Sequence, residues 1–137
     1  MEEKTIKSLI KKALYMLGYS YVPYSKFHVG AALLTKDGKI FSGCNIENAS
    51  FSPTNCAERT AFFKAVSEGY KEFEAIAIVG GANAKVEDFC PPCGVCRQVM
   101  NEFCKEDFKI ILAKNQEEYK IFTLDELLPL RFNLMNK

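Results

Sequence analysis

Thr54-Asn55-Cys56-Ala57-Glu58-Arg59 is answered downstream by Cys90-Pro91-Pro92-Cys93-Gly94-Val95-Cys96-Arg97-Gln98. The first stretch offers one thiol with a carboxyl two residues on. The second offers two thiols three residues apart, behind a proline. Each reads as the start of a helix. Thr54 or Asn55 can cap a helix from about Cys56 to Glu68, on which Ala57, Ala61, Phe62 and Ala65 form an apolar stripe. Proline just ahead of a first turn is well tolerated, so Cys93 to about Phe103 reads as a second helix.

Working outward, the flanking elements set the fold class. Upstream, Ile6, Leu9, Ile10, Ala13, Leu14 and Leu17 recur at helical spacing over residues 5–17, with lysines on the opposite face and a stop near Gly18. Pro23 disfavours helix at Val22, so residues 19–25 read as a turn-rich connection. Phe27 to Leu34 suits a strand, Lys36-Asp37-Gly38-Lys39 a hairpin turn, and Ile40 to Ile46 the partner strand. Residues 48–55, broken by Pro53, read as a loop. Between the two central helices, Phe73 to Val79 reads as a buried strand ending at Gly80-Gly81, and residues 82–92 as a loop. Downstream, Phe108 to Ala113 and Tyr119 to Phe122 are further strands. Thr123-Leu124-Asp125-Glu126 is a capping box that opens a last short helix ending at Pro129. The order predicts an α/β fold: a three-layer α/β/α sandwich with a mixed sheet of about five strands, one domain over residues 1–137.

Of the 137 residues, 48% are hydrophobic and 26% charged, and the net charge is +1. That balance predicts a soluble globular chain with no sequence-independent grip on nucleic acid. Lys4, Lys7, Lys11 and Lys12 form no basic patch, because Glu2 and Glu3 stand beside them on a solvated helix face. The N-terminal residues carry no signal-peptide core, and no apolar run nears the roughly 18 residues of a membrane span. The expectation is a cytoplasmic protein without a membrane partner. Six cysteines could form a disulfide framework. In a reducing compartment, clustered cysteines are more often metal ligands or redox groups.

Cys56, Cys93 and Cys96 supply three thiolates, and Glu58 is an acid not needed as a ligand. Those are the parts of a catalytic zinc site with one coordination position open to water. Cys93 and Cys96 fall on one helix face, and helix N-termini favour thiolate over thiol. Three thiolates leave the site about one net negative charge, which Arg59 can offset by donating to a ligand sulfur. The competing readings are a closed four-cysteine site that includes Cys90, a thiol redox protein using Cys93 and Cys96, and a surface role for Arg59. Cys44 and Cys104 read as ordinary buried residues, and His28 as a packed or surface side chain.

These motifs resemble those of the small homotetrameric zinc-dependent cytidine deaminases. The likeness extends to Tyr24-Ser25-Lys26-Phe27-His28-Val29-Gly30-Ala31-Ala32-Leu33, to Gly43-Cys44-Asn45-Ile46-Glu47-Asn48-Ala49 and to Leu127-Leu128-Pro129-Leu130. It implies one zinc ion per subunit on Cys56, Cys93 and Cys96. A hydroxide on the zinc would attack C4 of cytidine or deoxycytidine, with Glu58 as proton shuttle, releasing ammonia in pyrimidine salvage. It also implies that Asn45 and Glu47 bind the ribose hydroxyls, Phe27 packs beside the base and the Ala57 backbone holds the pyrimidine edge. Phe132 would reach a neighbouring subunit's site. Taken singly, Asn45 is also a turn residue, Glu47 a solvated acid, Phe27 a core residue and Phe132 part of a tail. Two positions depart from the family: His28 stands where proline is common, and Phe51 where many members have tyrosine. The nearest competitor in the same chemistry, a deaminase of a nucleoside antibiotic, shares the zinc motif. Asn45 and Glu47 are the residues that favour a free nucleoside.

Overall fold

A single five-stranded sheet, ordered β2-β1-β3-β4-β5, divides the computed structural model, which describes residues 1–134, into two apolar cores. The strands are β1 (Phe27–Thr35), β2 (Ile40–Cys44), β3 (Phe73–Ala82), β4 (Lys109–Ala113) and β5 (Tyr119–Thr123). β3 and β4 run parallel and the other neighbours antiparallel, so the sheet is mixed as expected.

One face of the sheet is covered by α1 (Glu3–Met16), which extends into a single 3-10 turn at Leu17–Tyr19. Its Ile6, Leu9, Ile10 and Ala13 pack on Ala32, Leu34, Ala75, Ala77 and Val79. The other face carries α2 (Ala57–Ser67), α3 (Gly94–Phe103) and the short α4 (Leu124–Leu127). There Phe62 lies at the centre, in ring contact with Phe73, Phe103 and Phe108. Alternate residues of β1 and β3 serve opposite cores, as the period of two demands. The predicted three layers are therefore present. So is the capping box of α4, where Thr123 and Glu126 cap each other's backbone amides.

Three local expectations are corrected. β3 does not stop at Gly80-Gly81; it continues to Ala82, pairing Val29 with Gly80, His28 with Gly81 and Phe27 with Ala82. Glycine suits this stretch because a Cβ at Gly80 would lie 2.8 Å from the Cys90 sulfur and 3.1 Å from the Phe27 ring. Neither Thr54 nor Asn55 caps α2; Cys56 itself is the N-cap, in extended backbone and without a side-chain cap bond. Thr54 instead accepts from the Asn48 amide, and Asn55 exchanges two backbone bonds with Ile46. β2 ends at Cys44, so Asn45 and Glu47 lie on the irregular segment after it.

Candidate metal centre and nucleoside pocket

Cys56 and Cys93 occupy the N-cap positions of α2 and α3, and Cys96 lies in the first turn of α3. α2 and α3 cover the same sheet face with their N-termini converging, and their three sulfurs fall within 4.8 Å of one another. The Cys56 and Cys93 sulfurs are 3.9 Å apart. Zinc–sulfur bonds of about 2.3 Å at tetrahedral angles require sulfurs about 3.8 Å apart, so the cluster fits a zinc ion. The cluster does not include Cys90, which argues against the four-cysteine reading. Cys44 and Cys104 are buried, and Cys90 is half-buried.

Charge in the cluster is set by hydrogen bonds. The Cys96 thiol and then Arg59 hold the Cys56 thiol far below the usual range, at about 5, against the opposing effect of burial. In that pair Cys56 is the thiolate, and the same hydrogen bond holds Cys96 high. Arg59 Nη2 donates to Cys56 Sγ at 3.2 Å. Burial disfavours the Arg59 charge, but its bonds to the two sulfurs outweigh that and raise its pKa. Arg59 Nε is a buried donor without a protein partner, which suits a site whose anionic sulfurs crowd around the guanidinium.

Glu58 follows on the first turn of α2 and is 4% exposed. Burial pushes its carboxyl up to about 7, and the charge of Cys56 adds to that, while its own amide and Arg59 pull the other way. A carboxyl poised near neutrality can both take and return a proton at working pH. Ala57 is fully buried between these two. Its carbonyl lies so close to Gly43 of β2 that any side chain there would overlap it.

A second group assembles next to this one. Asn45 donates from Nδ2 to the Phe27 carbonyl at 2.8 Å and accepts from the Val29 amide at 2.9 Å. Glu47 accepts from the amides of Tyr24 and Ser25, each at 3.1 Å, and from the Ser25 hydroxyl. A pocket of about 430 Å³ opens beside it, lined by Tyr24, Ser25, Asn48, Phe51 and Thr54. Phe51 has a φ of 63° and its ring projects outward, 75% exposed. Cys90 lies between the two groups: like Phe27 it borders Gly80, and burial, with the charges of Glu58 and Cys56, raises its thiol to about 11.

Phe132 is not brought to either group through contacts within the chain. It lies on α3, where its carbonyl accepts from Gln98 at 3.1 Å and Asn101 at 2.9 Å, and its residue is 66% exposed. His28 Nδ1 bonds the Leu17 carbonyl at 2.9 Å, a packing role. Sequence reasoning missed the donors to Glu47 and also Arg97, which ties the start of α3 to the Pro92 carbonyl at 2.7 Å and to Leu127 at 2.6 Å. Position just after Cys96 was the available signal for Arg97; Ser25 offered none beyond standing two residues before Phe27.

Three sulfurs gathered by two helix N-termini beside a buried acid, in an α/β/α sandwich, define a metal-centred domain built for proton transfer. Residues 3–112 match the model of the cytidine and deoxycytidylate deaminase zinc-binding region. A cytidine deaminase of Halalkalibacterium halodurans is 54% identical over 121 residues, covering 88% of this chain and 89% of that one. One from Sporosarcina psychrophila is 48% identical over 128 residues, covering 93% and 91%. The crystal structure of cytidine deaminase from Burkholderia pseudomallei superposes with a TM-score of 0.83 at 46% identity, covering 91% of this chain and 97% of that one. The chain belongs to the cytidine deaminase family and carries its zinc-binding domain.

Proposed function

We propose that the protein is a cytidine deaminase that converts cytidine and deoxycytidine to uridine and deoxyuridine with release of ammonia. The observation that carries this reading is the pairing of an incomplete sulfur set, three ligands from Cys56, Cys93 and Cys96, with the buried carboxyl of Glu58. A structural zinc site closes on four protein ligands; three leave a position for water. When bound, zinc supplies Lewis acidity that lowers the pKa of a water from about 16 towards 7.

The residues of the chain do the rest. Glu58 takes one proton from the attacking water and delivers it to N3 of the pyrimidine, then moves the remaining hydroxyl proton from C4 to the departing amine. Water adds at C4 and the C4–amine bond breaks, so one water is consumed for each ammonia. Arg59 offsets the negative charge of the thiolates through Cys56. The Ala57 backbone holds the ring edge and Phe27 packs beside it, while Asn45 and Glu47 take the sugar hydroxyls. The active unit is a single catalytic domain spanning the chain, acting in pyrimidine salvage in the cytoplasm as a homotetramer. In it Phe132, with an exposed ring at the surface of α3, reaches a neighbouring subunit's pocket.

Incubation of the purified protein with cytidine, followed by ammonia release or the ultraviolet change, tests the reading. Turnover that a chelator abolishes and zinc restores is expected. A zinc-loaded protein that leaves cytidine and deoxycytidine intact would overturn it.

A further inference from the structure

We propose that Ser25 is a positioning residue for the nucleoside pocket, fixing the Glu47 carboxylate in the orientation that receives a sugar hydroxyl. The inference rests on the reading of Glu47 as a sugar ligand and deepens it.

Glu47 does not hang free in its pocket. Its Oε1 accepts two backbone amides, those of Tyr24 and Ser25, and its Oε2 accepts the Ser25 hydroxyl. A carboxylate offers about four acceptor positions, so the turn fills three and leaves one for a ligand. The same Ser25 oxygen accepts the Phe27 amide at 3.0 Å. That bond orients the serine, whose proton then goes to Glu47. Phe27 in turn gives its carbonyl to Asn45. Phe27, Asn45 and Glu47 therefore share one hydrogen-bonded frame, and Ser25 is the side chain that joins the base side to the sugar side.

The turn is built to hold that frame. Lys26, between Ser25 and Phe27, has a φ of 61°, a left-handed conformation that L side chains enter at a cost. Its amide donates to the Val22 carbonyl at 3.0 Å, and its carbonyl accepts from the Asn83 amide at 2.8 Å. The Ser25 bond is also the chief cause that holds the Glu47 carboxyl below its ordinary range, with the nearby Lys26 charge adding a smaller push in the same direction. The acid thus stays ionised and aimed.

Ser25→Ala removes the one donor on Oε2 and leaves both amides on Oε1, so the turn keeps its backbone bonds. The expected result is a KM for cytidine raised about tenfold, a kcat lowered less than threefold and zinc content unchanged. Ser25→Thr, which keeps the hydroxyl, should restore most of the KM. In a Glu47→Ala background, Ser25→Ala should add little, because its route to the substrate is gone. Equal KM increases from Ser25→Ala in both backgrounds would overturn the inference, as would an unchanged KM in the single variant while Glu47→Ala alone raises it. An unchanged KM in Glu47→Ala would instead overturn the sugar-ligand reading on which the inference stands.

Discussion

Glu58 is made unusual by burial. An acid at a helix N-terminus ordinarily gains from the helix dipole and stays ionised; here loss of water outweighs that and lifts it to about 7. Glu58→Gln keeps the shape and removes the exchangeable proton. It should lower kcat by at least about a thousandfold while zinc stoichiometry holds, a split that steady-state kinetics and metal analysis can read. The identity of this residue was legible from its place two positions after Cys56. Its burial was not, because that depends on how α2 settles onto β1 and β2. Ser25 shows the opposite limit: its bond to Glu47 spans 22 residues and leaves no spacing for a periodicity to reveal.

Elements were easier to read than their ends. The apolar periodicity of α1, the Asp-Gly hairpin and the capping box of α4 all state local preferences that the tertiary structure keeps. β3 overran its expected end because pairing with β1 overrides the weak strand preference of Gly80 and Gly81. The cap of α2 fell to Cys56 because Thr54 and Asn55 are held by the segment after β2. β2 and α2 approach each other at Gly43, where a Cβ would overlap the Ala57 carbonyl and lie 2.7 Å from the Ala61 amide. Gly43→Ala must push back the first turn of α2, and Cys56 with it. Overpacking of this kind costs about 1–3 kcal/mol. The variant should show that loss in chemical denaturation, together with reduced zinc retention on dialysis.

At the scale of the whole molecule, the two apolar cores supply stability that does not come from the metal. Each face of the sheet has its own closed apolar cluster. Zinc then adds stability by binding the folded form: about 4 kcal/mol at a thousandfold saturation. Chelation should lower Tm by roughly 10 °C in calorimetry while far-ultraviolet circular dichroism below the transition stays unchanged. Subunit number, by contrast, left little trace in the sequence, because nothing in hydrophobic patterning separates an exposed Phe132 or Phe51 from a covered one. Light scattering on the purified protein should return four chains.

The three candidate ligands also have a place in time. Cys56 and Cys93 are 37 residues apart, and β3 runs between them. The two helix N-termini meet only across that intervening stretch of chain. Such contacts, distant along the chain, carry a loop-closure cost that local turns do not. During folding the hairpin of β1 and β2 therefore has every reason to form early, and the sulfur cluster late. A newly made chain brings all three sulfurs together only once α2, β3 and α3 are in place, so the complete cluster is a product of folding and not a starting point for it.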